Sequence, residues 1–210
     1  MESAFWHQVW SQGFIGFHEY EVNPFLKNHI QKLQLVQNNR IFIPLCGKTR
    51  DIAWLLDVGF RVVGVELSEL AVKQLFNELN ITPTVTPIPE NLHFSAKNID
   101  IFVGDIFDLS SKYLGEINAI YDRAALVALP TKMRQQYTSH LMKITQYAPQ
   151  LLITYEYDSS NEEGPPFSIK EDELKAHYDA QYHLTSIASE EVVGGLKGKI
   201  ESTSRAWLIA

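Results

Sequence analysis

Residues 40–66, RIFIPLCGKTRDIAWLLDVGFRVVGVE, carry the pattern that decides the fold. Arg40 to Pro44 and Arg61 to Glu66 are rich in β-branched and apolar residues, which predicts two strands. Asp51 to Asp57 lies between them with the composition of a helix, and it ends before Gly59, a residue suited to the turn after a helix. A strand, a helix and a second strand in this order predict parallel strands in one sheet.

The same alternation continues along the chain. Ser68 is expected to cap a helix that runs to Leu79. Prolines within residues 83–89 exclude a helix from the next segment, where Thr84 to Thr86 and Leu92 to Phe94 predict a hairpin outside the main series. The remaining predicted elements are strands at Ile99 to Val103, Ile117 to Tyr121, Leu151 to Tyr155, Tyr182 to Ser186 and Ser204 to Ile209, and helices at Thr131 to Thr145 and Ile169 to Tyr178.

Length and composition predict one packed domain. The 210 residues are 45% hydrophobic and 20% charged, which is typical of a soluble globular chain with a single core. We therefore expect residues 1–210 to form one α/β domain. Its strands and helices predict a seven-stranded, mostly parallel sheet with helices on both faces.

Charge and hydropathy exclude several classes of partner. The formal charge of -7 argues against nucleic acid, because a phosphate backbone is bound by clustered Lys and Arg. No apolar run approaches the ~20 residues of a membrane-spanning helix. Met1 to Trp10 also lacks the basic and apolar segments of a secretory leader. We expect a cytoplasmic monomer with a small-molecule substrate and no membrane partner.

Cysteine and histidine usage argues against a metal centre. Cys46 is the only cysteine, which excludes an internal disulfide and a zinc site built from several cysteines. No neighbouring His would lower the pKa of its thiol, so we expect a structural role and not that of a nucleophile. The seven histidines show no H-x-x-x-H or H-E-x-x-H spacing, and no metal is expected.

The turn after the first strand indicates the class of cofactor. In open α/β sheets, ligands bind beyond the carboxyl ends of the strands. Leu45 to Lys48 contains one glycine and lacks the G-x-G-x-x-G fingerprint of dinucleotide-binding domains, which disfavours NAD. S-adenosylmethionine has no phosphate, so a turn with fewer glycines can bind it. A nicotinamide-dependent oxidoreductase and a non-catalytic binding protein of the same fold stay as rival classes.

Chemically informative side chains follow three predicted strands. Glu66, at the end of the second, can accept hydrogen bonds from both hydroxyls of a ribose, or it can merely favour the N-terminus of the helix that Ser68 opens. Asp105 and Ile106 follow the third strand, where an acid and an apolar side chain can hold an adenine. Arg123 follows the fourth strand and can face either a ligand or a structural carboxylate.

Several segments in a fixed order resemble one known family. They are P-L-C-G-K-x-x-D-x-x-W-L-x-x-x-G (44–59), V-V-G-V-E-L-S-E-x-A-V (62–72), G-D-I-F-x-L (104–109), Y-D-R-A-A-L-V-A-L-P (121–130) and G-P-P-F-S (164–168). Together with W-x-x-x-W-x-x-G-x-x-G-F-H at residues 6–18, they resemble thiopurine S-methyltransferase, most closely its bacterial branch. The resemblance covers essentially the whole chain and implies a class I S-adenosylmethionine-dependent methyltransferase with a Rossmann-like fold.

The resemblance also implies roles for matching positions. Residues 1–35 would form a helical lid over the cofactor and substrate pocket, although an N-terminal helix with these aromatic residues is also explained by ordinary core packing. Arg123 would additionally stabilise the thiolate of the acceptor. The implied cofactor contacts are Trp6, Trp10, Leu45, Glu66 (ribose), Asp105 and Ile106 (adenine) and Arg123, and the expected substrate side is Phe17 with His18.

The implied reaction is in-line methyl transfer from S-adenosylmethionine to the sulfur of small aromatic or heterocyclic thiols such as thiopurines, leaving S-adenosylhomocysteine. Methylation of selenium or tellurium species, as metalloid detoxification, is the alternative. Mammalian members of the family use a further Arg near the substrate; here Arg205 is the only Arg after Arg134, so that role has no assigned residue. The double proline at 165–166 follows the fifth strand, unlike the motif of nucleic-acid amino-methyltransferases after the fourth, and is expected to shape a rigid loop over the pocket.

Overall fold

A computed structural model describes residues 3–160 and 164–210, so the first two residues of the expected lid lie outside the described residues. The helices are α1 (Ser3–Gln12), α2 (Pro24–His29), α3 (Arg50–Asp57), α4 (Glu69–Glu78), α5 (Ser111–Leu114), α6 (Thr131–Ile144) and α7 (Glu171–Tyr178). The strands are β1 (Arg40–Ile43), β2 (Arg61–Glu66), β3 (Thr84–Ile88), β4 (Asn91–Ala96), β5 (Ile99–Val103), β6 (Ala119–Arg123), β7 (Gln150–Tyr157), β8 (Leu184–Glu191) and β9 (Ser202–Ile209). No described helix has the length and apolar character of a membrane span.

The described strands form one sheet in the order β3-β4-β5-β2-β1-β6-β7-β9-β8. The five central strands, from β5 to β7, are parallel, and antiparallel strands flank them on both sides. From β1 the chain adds β2 to β5 on one side of the sheet. It then crosses back to place β6 on the other side of β1 and adds the remaining strands there. The gap between β1 and β6 is therefore the topological switch point, where open α/β sheets bind ligands.

The sheet has nine strands where seven were expected. The expected hairpin exists as β3 and β4, but it is not separate from the sheet, because β4 pairs antiparallel with β5 from Leu92↔Val103 to Ala96↔Ile99. β3 then forms the edge and contains Pro87, a residue that a sheet accepts only at such a position. The α/β class and the parallel centre are as predicted.

Some element boundaries also differ from the prediction. β6 begins at Ala119 and includes Arg123, two residues later than expected at each end, because its pairing with β1 starts with Ala119 opposite Ile41. α7 begins at Glu171, because the N–H of Ile169 bonds to the carbonyl of Tyr155 at 2.8 Å. Ser68 does cap α4, with its hydroxyl accepting from the N–H of Ala71 at 3.3 Å.

Both faces of the sheet are covered by helices. Ile41 and Ile43 of β1 belong to a buried cluster with Leu55 of α3, while Phe42 between them belongs to a second cluster with Tyr137 of α6. Alternate residues of a strand point to opposite faces, so one short strand serves both clusters. This burial explains why the central strands read as continuous apolar runs.

Gly64 in β2 is the tightest point beside the first turn. A Cβ at this position would lie 2.8 Å from Cys46 Sγ and 2.8 Å from Ile101 Cδ1. Replacing Gly64 by Ala is therefore expected to lower the free energy of unfolding by about 1–3 kcal/mol through overpacking, measured by urea denaturation. Gly16→Ala is the control, because no heavy atom lies within 4 Å of a Cβ there. Equal effects of the two substitutions would contradict this account of the packing.

Candidate active site

A cavity of about 930 Å³ opens at the carboxyl ends of the central strands. Its walls come from α1 and the turn after it, the loops after β1, β2, β5 and β6, helix α6, strand β7 and the loop between β8 and β9. Pro165 and Pro166, after β7, also line the cavity, where the sequence placed their loop. The volume lies within the range of about 300–1,000 Å³ that is typical of small-molecule sites. The cavity also coincides with the switch point between β1 and β6, so fold and cavity indicate the same ligand position.

Eight of the nine predicted site residues line this cavity: Trp6, Phe17, His18, Leu45, Glu66, Asp105, Ile106 and Arg123. Trp10 is not among the described lining residues. Its indole lies behind the wall, with its ring centroid 5.5 Å from that of Phe17, and a Cβ on Gly47 would meet its Cζ2 at 3.0 Å. Trp10 thus supports the turn and Phe17 from behind, and contacts of all nine residues with a ligand stay predictions.

Glu66 is fixed at the end of β2 by two backbone hydrogen bonds. The N–H of Gly47 donates to Oε2 at 2.9 Å, and the N–H of Ser68 donates to Oε1 at 2.8 Å. Burial raises the pKa of Glu66, while these N–H donors act in the opposite direction. Each carboxylate oxygen keeps a second lone pair. Glu66 therefore stabilises the start of α4 and still has acceptors available in the cavity, so the two sequence interpretations are compatible.

Two apolar residues of the cavity wall have a left-handed backbone conformation. Leu45 has a φ of 47° and Ala124 a φ of 63°, and both residues line the cavity. The left-handed region costs an L-residue roughly 1–2 kcal/mol, and such strain is typically found at binding sites. The turn after β1 is held in this form by the N–H of Cys46, which donates to the carbonyl of Val65 at 2.9 Å.

Cys46 is buried in this turn. Burial raises the pKa of the Cys46 thiol well above its usual value, and the nearby Glu66 carboxylate adds to that effect. The thiol is therefore protonated at neutral pH and a poor nucleophile. Its position against Gly64 supports the structural role that the sequence indicated.

Asp105 caps the 3-10 turn Ile106–Asp108 that follows β5. Its Oδ1 accepts from the N–H of Phe107 at 3.0 Å. Ile106 lies beside it in the cavity wall, and its carbonyl is 2.8 Å from Nε2 of His140. The turn presents a carboxylate next to an apolar side chain, which is the combination predicted for an adenine.

Arg123 lies at the end of β6 with 8% of its side chain exposed. Its Nη2 donates to the carbonyl of Phe17 at 3.2 Å and lies 2.6 Å from Oε1 of Glu19. Burial alone would lower the pKa of Arg123, but neighbouring groups, among them Tyr121 and Glu19, raise it above its ordinary value. The guanidinium is thus permanently charged, and it both contacts a structural carboxylate and lines the cavity.

The N-terminal segment is anchored to the sheet beside this arginine. Asp51 is buried, and its carboxylate accepts from the N–H of Asn23 at 2.8 Å and from the hydroxyl of Tyr121 at 3.0 Å. Asn23 in turn caps α2, since its side chain accepts from the N–H of Phe25 at 3.0 Å. This network fixes the point at which the segment carrying Phe17 and Glu19 returns to the sheet.

The sequence did not single out several residues that line the cavity. Glu19 is one, and Tyr155 of β7 is another. Arg205, considered for a substrate-side role, pairs with Glu156 at 3.0 Å and is not among the described lining residues. The loop between β8 and β9 contributes instead Val192, Gly195, Leu196 and Lys197. No group of three or more His, Cys, Asp or Glu that could hold a metal ion occurs within residues 3–160 and 164–210.

Asp122, next to Arg123, faces the opposite side of the sheet. Its Oδ2 accepts from the hydroxyl of Tyr137 at 2.6 Å and its Oδ1 from the N–H of Leu126 at 3.1 Å. Burial raises the pKa of Asp122 from 3.8 to about 6, although these hydrogen bonds act against the shift.

The raised pKa of Asp122 predicts a pH-dependent stability. The folded protein binds this proton more tightly than the unfolded chain, so the contribution is fully present below about pH 4 and is lost as pH rises through about 6. The loss is about 3 kcal/mol. Urea unfolding between pH 4.5 and 7 should show the decrease in the wild type but a flatter profile in Asp122→Asn. Parallel profiles would contradict the assignment.

The sequence profile of the thiopurine S-methyltransferase family matches residues 1–206. The chain belongs to the thiopurine S-methyltransferase family. A curated relative named thiopurine S-methyltransferase, from Xanthobacter autotrophicus, is 50% identical over 210 residues and is covered over 99% of its length, with 100% of this chain aligned. Membership of the thiopurine S-methyltransferase family confirms the resemblance and identifies the chain as an S-adenosylmethionine-dependent methyltransferase.

Solved structures agree with this family assignment at the level of fold. An S-adenosylmethionine-dependent methyltransferase from Anabaena variabilis superposes with a TM-score of 0.67 at 15% identity, covering 99% of this chain and 93% of that one. A Burkholderia thailandensis 1,6-didemethyltoxoflavin-N1-methyltransferase was solved with 1,6-didemethyltoxoflavin and S-adenosylhomocysteine bound. It also superposes with a TM-score of 0.67 at 15% identity, covering 99% of this chain and 87% of that one.

Proposed function

We propose that the protein methylates the sulfur of small aromatic or heterocyclic thiols such as thiopurines, with S-adenosylmethionine as the methyl donor. One observation carries the proposal: a carboxylate fixed by two backbone N–H groups and a buried arginine share the wall of one cavity at the switch point. Relatives named thiopurine S-methyltransferase support the choice of thiopurines as acceptors.

The residues of the cavity fit S-adenosylmethionine. Glu66 would hold the ribose hydroxyls, because both of its oxygens are oriented and retain acceptor capacity. Asp105 and Ile106 would hold the adenine. The turn at Leu45, after β1, would form one wall of the cofactor site. S-adenosylmethionine supplies a methyl group on a positively charged sulfur, which is already activated for in-line displacement.

The protein itself would contribute alignment and the exclusion of water. Trp6 and Phe17 meet edge to face, with ring centroids 5.9 Å apart, and Trp10 packs on Phe17 from behind. We propose that residues 1–35 act as a lid that places these rings over the acceptor, so that a thiolate loses the hydration that would weaken it as a nucleophile. Arg123 favours the ionised form of the acceptor by charge attraction.

His18 is proposed to lie on the acceptor side as a neutral ring. Burial lowers the pKa of His18, and Lys48 is the next largest cause in the same direction. A neutral imidazole in the wall can bond to a heterocyclic nitrogen without adding a second positive charge beside Arg123.

A product assay tests the proposal. The protein is incubated with S-adenosylmethionine and, separately, an aromatic thiol, an aliphatic thiol, selenite and tellurite, and S-adenosylhomocysteine is quantified together with the methylated acceptor. We expect equal amounts of both products with the aromatic thiol. Cofactor binding without turnover of any acceptor would indicate a non-catalytic binding protein. Methylation of selenite or tellurite alone would indicate metalloid detoxification as the function. The cytoplasmic location and the monomeric state stay predictions.

A further inference from the structure

Glu19 and Arg123 form an ion pair in the cavity wall that the acceptor must encounter. Both residues line the cavity, and their side chains approach to 2.6 Å. The two partners differ in solvent exposure: 43% of the Glu19 side chain is exposed but only 8% of that of Arg123. Arg123 is therefore fixed in the wall, whereas Glu19 has room to move into solvent.

The arginine retains a donor that this pairing does not use. Within the described residues, Nε of Arg123 is buried and has no hydrogen-bond partner. Nη2, in contrast, serves both Glu19 and the carbonyl of Phe17. A guanidinium can donate five hydrogen bonds, and a planar anion is its preferred partner. The ion pair with Glu19 therefore uses only part of the donor capacity of Arg123.

Pairing also changes what the cavity offers to an acceptor. An unpaired buried cation attracts an anionic sulfur strongly. A cation that is paired with a carboxylate attracts it much less, because the two charges of the pair largely cancel. An ionised thiol gains the full attraction only if the carboxylate moves away. A neutral thiol gains nothing from displacing it.

We propose that Glu19 is a specificity-determining residue, whose carboxylate competes with the ionised sulfur of the acceptor for Arg123. This inference rests on the proposed function, because it takes the acceptor to be a thiol in the same cavity. Exchange of one anion for the other sets how strongly the enzyme prefers ionised thiols over neutral ones. Since Glu19 lies in the turn that carries Phe17 and His18, the exchange also links acceptor binding to the position of the N-terminal segment.

Substitution of Glu19 by Gln tests the competition. Gln keeps the size of the side chain but removes the charge that competes for Arg123. Binding of 4-nitrothiophenol, which is ionised at pH 7.5, and of benzyl mercaptan, which is neutral there, is measured by calorimetry on the protein saturated with S-adenosylhomocysteine. We expect Glu19→Gln to lower the Kd of the ionised thiol about fivefold and to leave that of the neutral thiol unchanged. Glu21→Gln, an exposed carboxylate in the same turn, is the matched control and should change neither.

Steady-state kinetics separate competition from a structural role. With 4-nitrothiophenol as acceptor, Glu19→Gln should lower KM about fivefold with kcat changed less than twofold. If Glu19 merely positions Arg123, the variant will raise KM or Kd for both thiols, and that result overturns the inference. Unchanged binding of the ionised thiol overturns it as well.

The two proposals fail in different ways. Binding of both thiols without methylation of either overturns the proposed function, while the comparison of the Kd values still decides the role of Glu19. Absence of thiol binding in both wild type and variant overturns both.

Discussion

Replacing Glu66 by Gln is expected to weaken the binding of S-adenosylhomocysteine about 100-fold. The substitution removes the charge that accepts the ribose hydroxyls, and hydrogen bonds to a charged group are worth roughly 1.5–3 kcal/mol each. It also places an NH₂ group against the N–H of Gly47 or of Ser68, which now donate to the two carboxylate oxygens. Isothermal titration calorimetry gives the Kd directly.

Folding must be checked beside this measurement, because Glu66 also fixes the turn after β1. Thermal unfolding of the variant without ligand separates a loss of ligand contact from a loss of structure. Glu69→Gln is the matched control, since Glu69 lies in the first turn of α4 with 44% of its side chain exposed, paired with Lys73. A folded Glu66→Gln protein that binds the ligand within threefold of wild type would remove Glu66 from the ribose site.

Replacing Arg123 by Ala is expected to lower kcat for an aromatic thiol about 100-fold, and the loss should be largest at low pH. Arg123 lowers the pKa of a bound thiol by charge attraction, so without it the acceptor stays protonated over a wider pH range. At a pH where the thiol is ionised in water, the deficit should shrink. A profile of kcat against pH measures both effects, because it reports ionisation within the enzyme–substrate complex.

The control for Arg123→Ala is Arg61→Ala, because Arg61 is exposed and lies at the end of β2 that is opposite the cavity. The Kd for S-adenosylhomocysteine is measured in parallel, because the loss of Arg123 also deprives Glu19 and the carbonyl of Phe17 of their partner. A pH profile with the wild-type shape would show that Arg123 does not act on the ionisation of the acceptor.

The local parts of the fold were predictable from sequence. The strand, turn and helix of residues 40–57 are set by apolar periodicity and by Gly59 beyond the helix, and the cap at Ser68 is set by its own hydroxyl. The pairing of β4 with β5 was not predictable, because antiparallel addition at an edge depends on which strand leaves its hydrogen-bonding groups free. A strand as short as β4 carries no signal of its partner.

The candidate site shows the same division. Glu66, Asp105 and Arg123 could be predicted because the carboxyl ends of parallel strands converge at one edge. Glu19 could not, since its partner Arg123 is distant in sequence and an isolated Glu after an aromatic pair has no distinctive pattern. The loop between β8 and β9 reaches the cavity only through the antiparallel pairing of its strands, which nothing in its composition indicates.

Trp6 and Trp10 show the limit of carrying roles over by resemblance. The resemblance implied cofactor contacts for both, and they lie four residues apart on one face of α1. The structure separates them: Trp6 lines the cavity, and Trp10 is buried against Phe17 and Gly47. The difference depends on where α1 meets the turn after β1, which is a tertiary contact.

A crystal structure of the protein with S-adenosylhomocysteine would locate the cofactor site. We expect the ligand in the cavity at the switch point between β1 and β6, with both ribose hydroxyls within hydrogen-bonding distance of Glu66 and the adenine beside Asp105 and Ile106. A ligand bound elsewhere, or in this cavity with its ribose away from Glu66, would contradict this expectation.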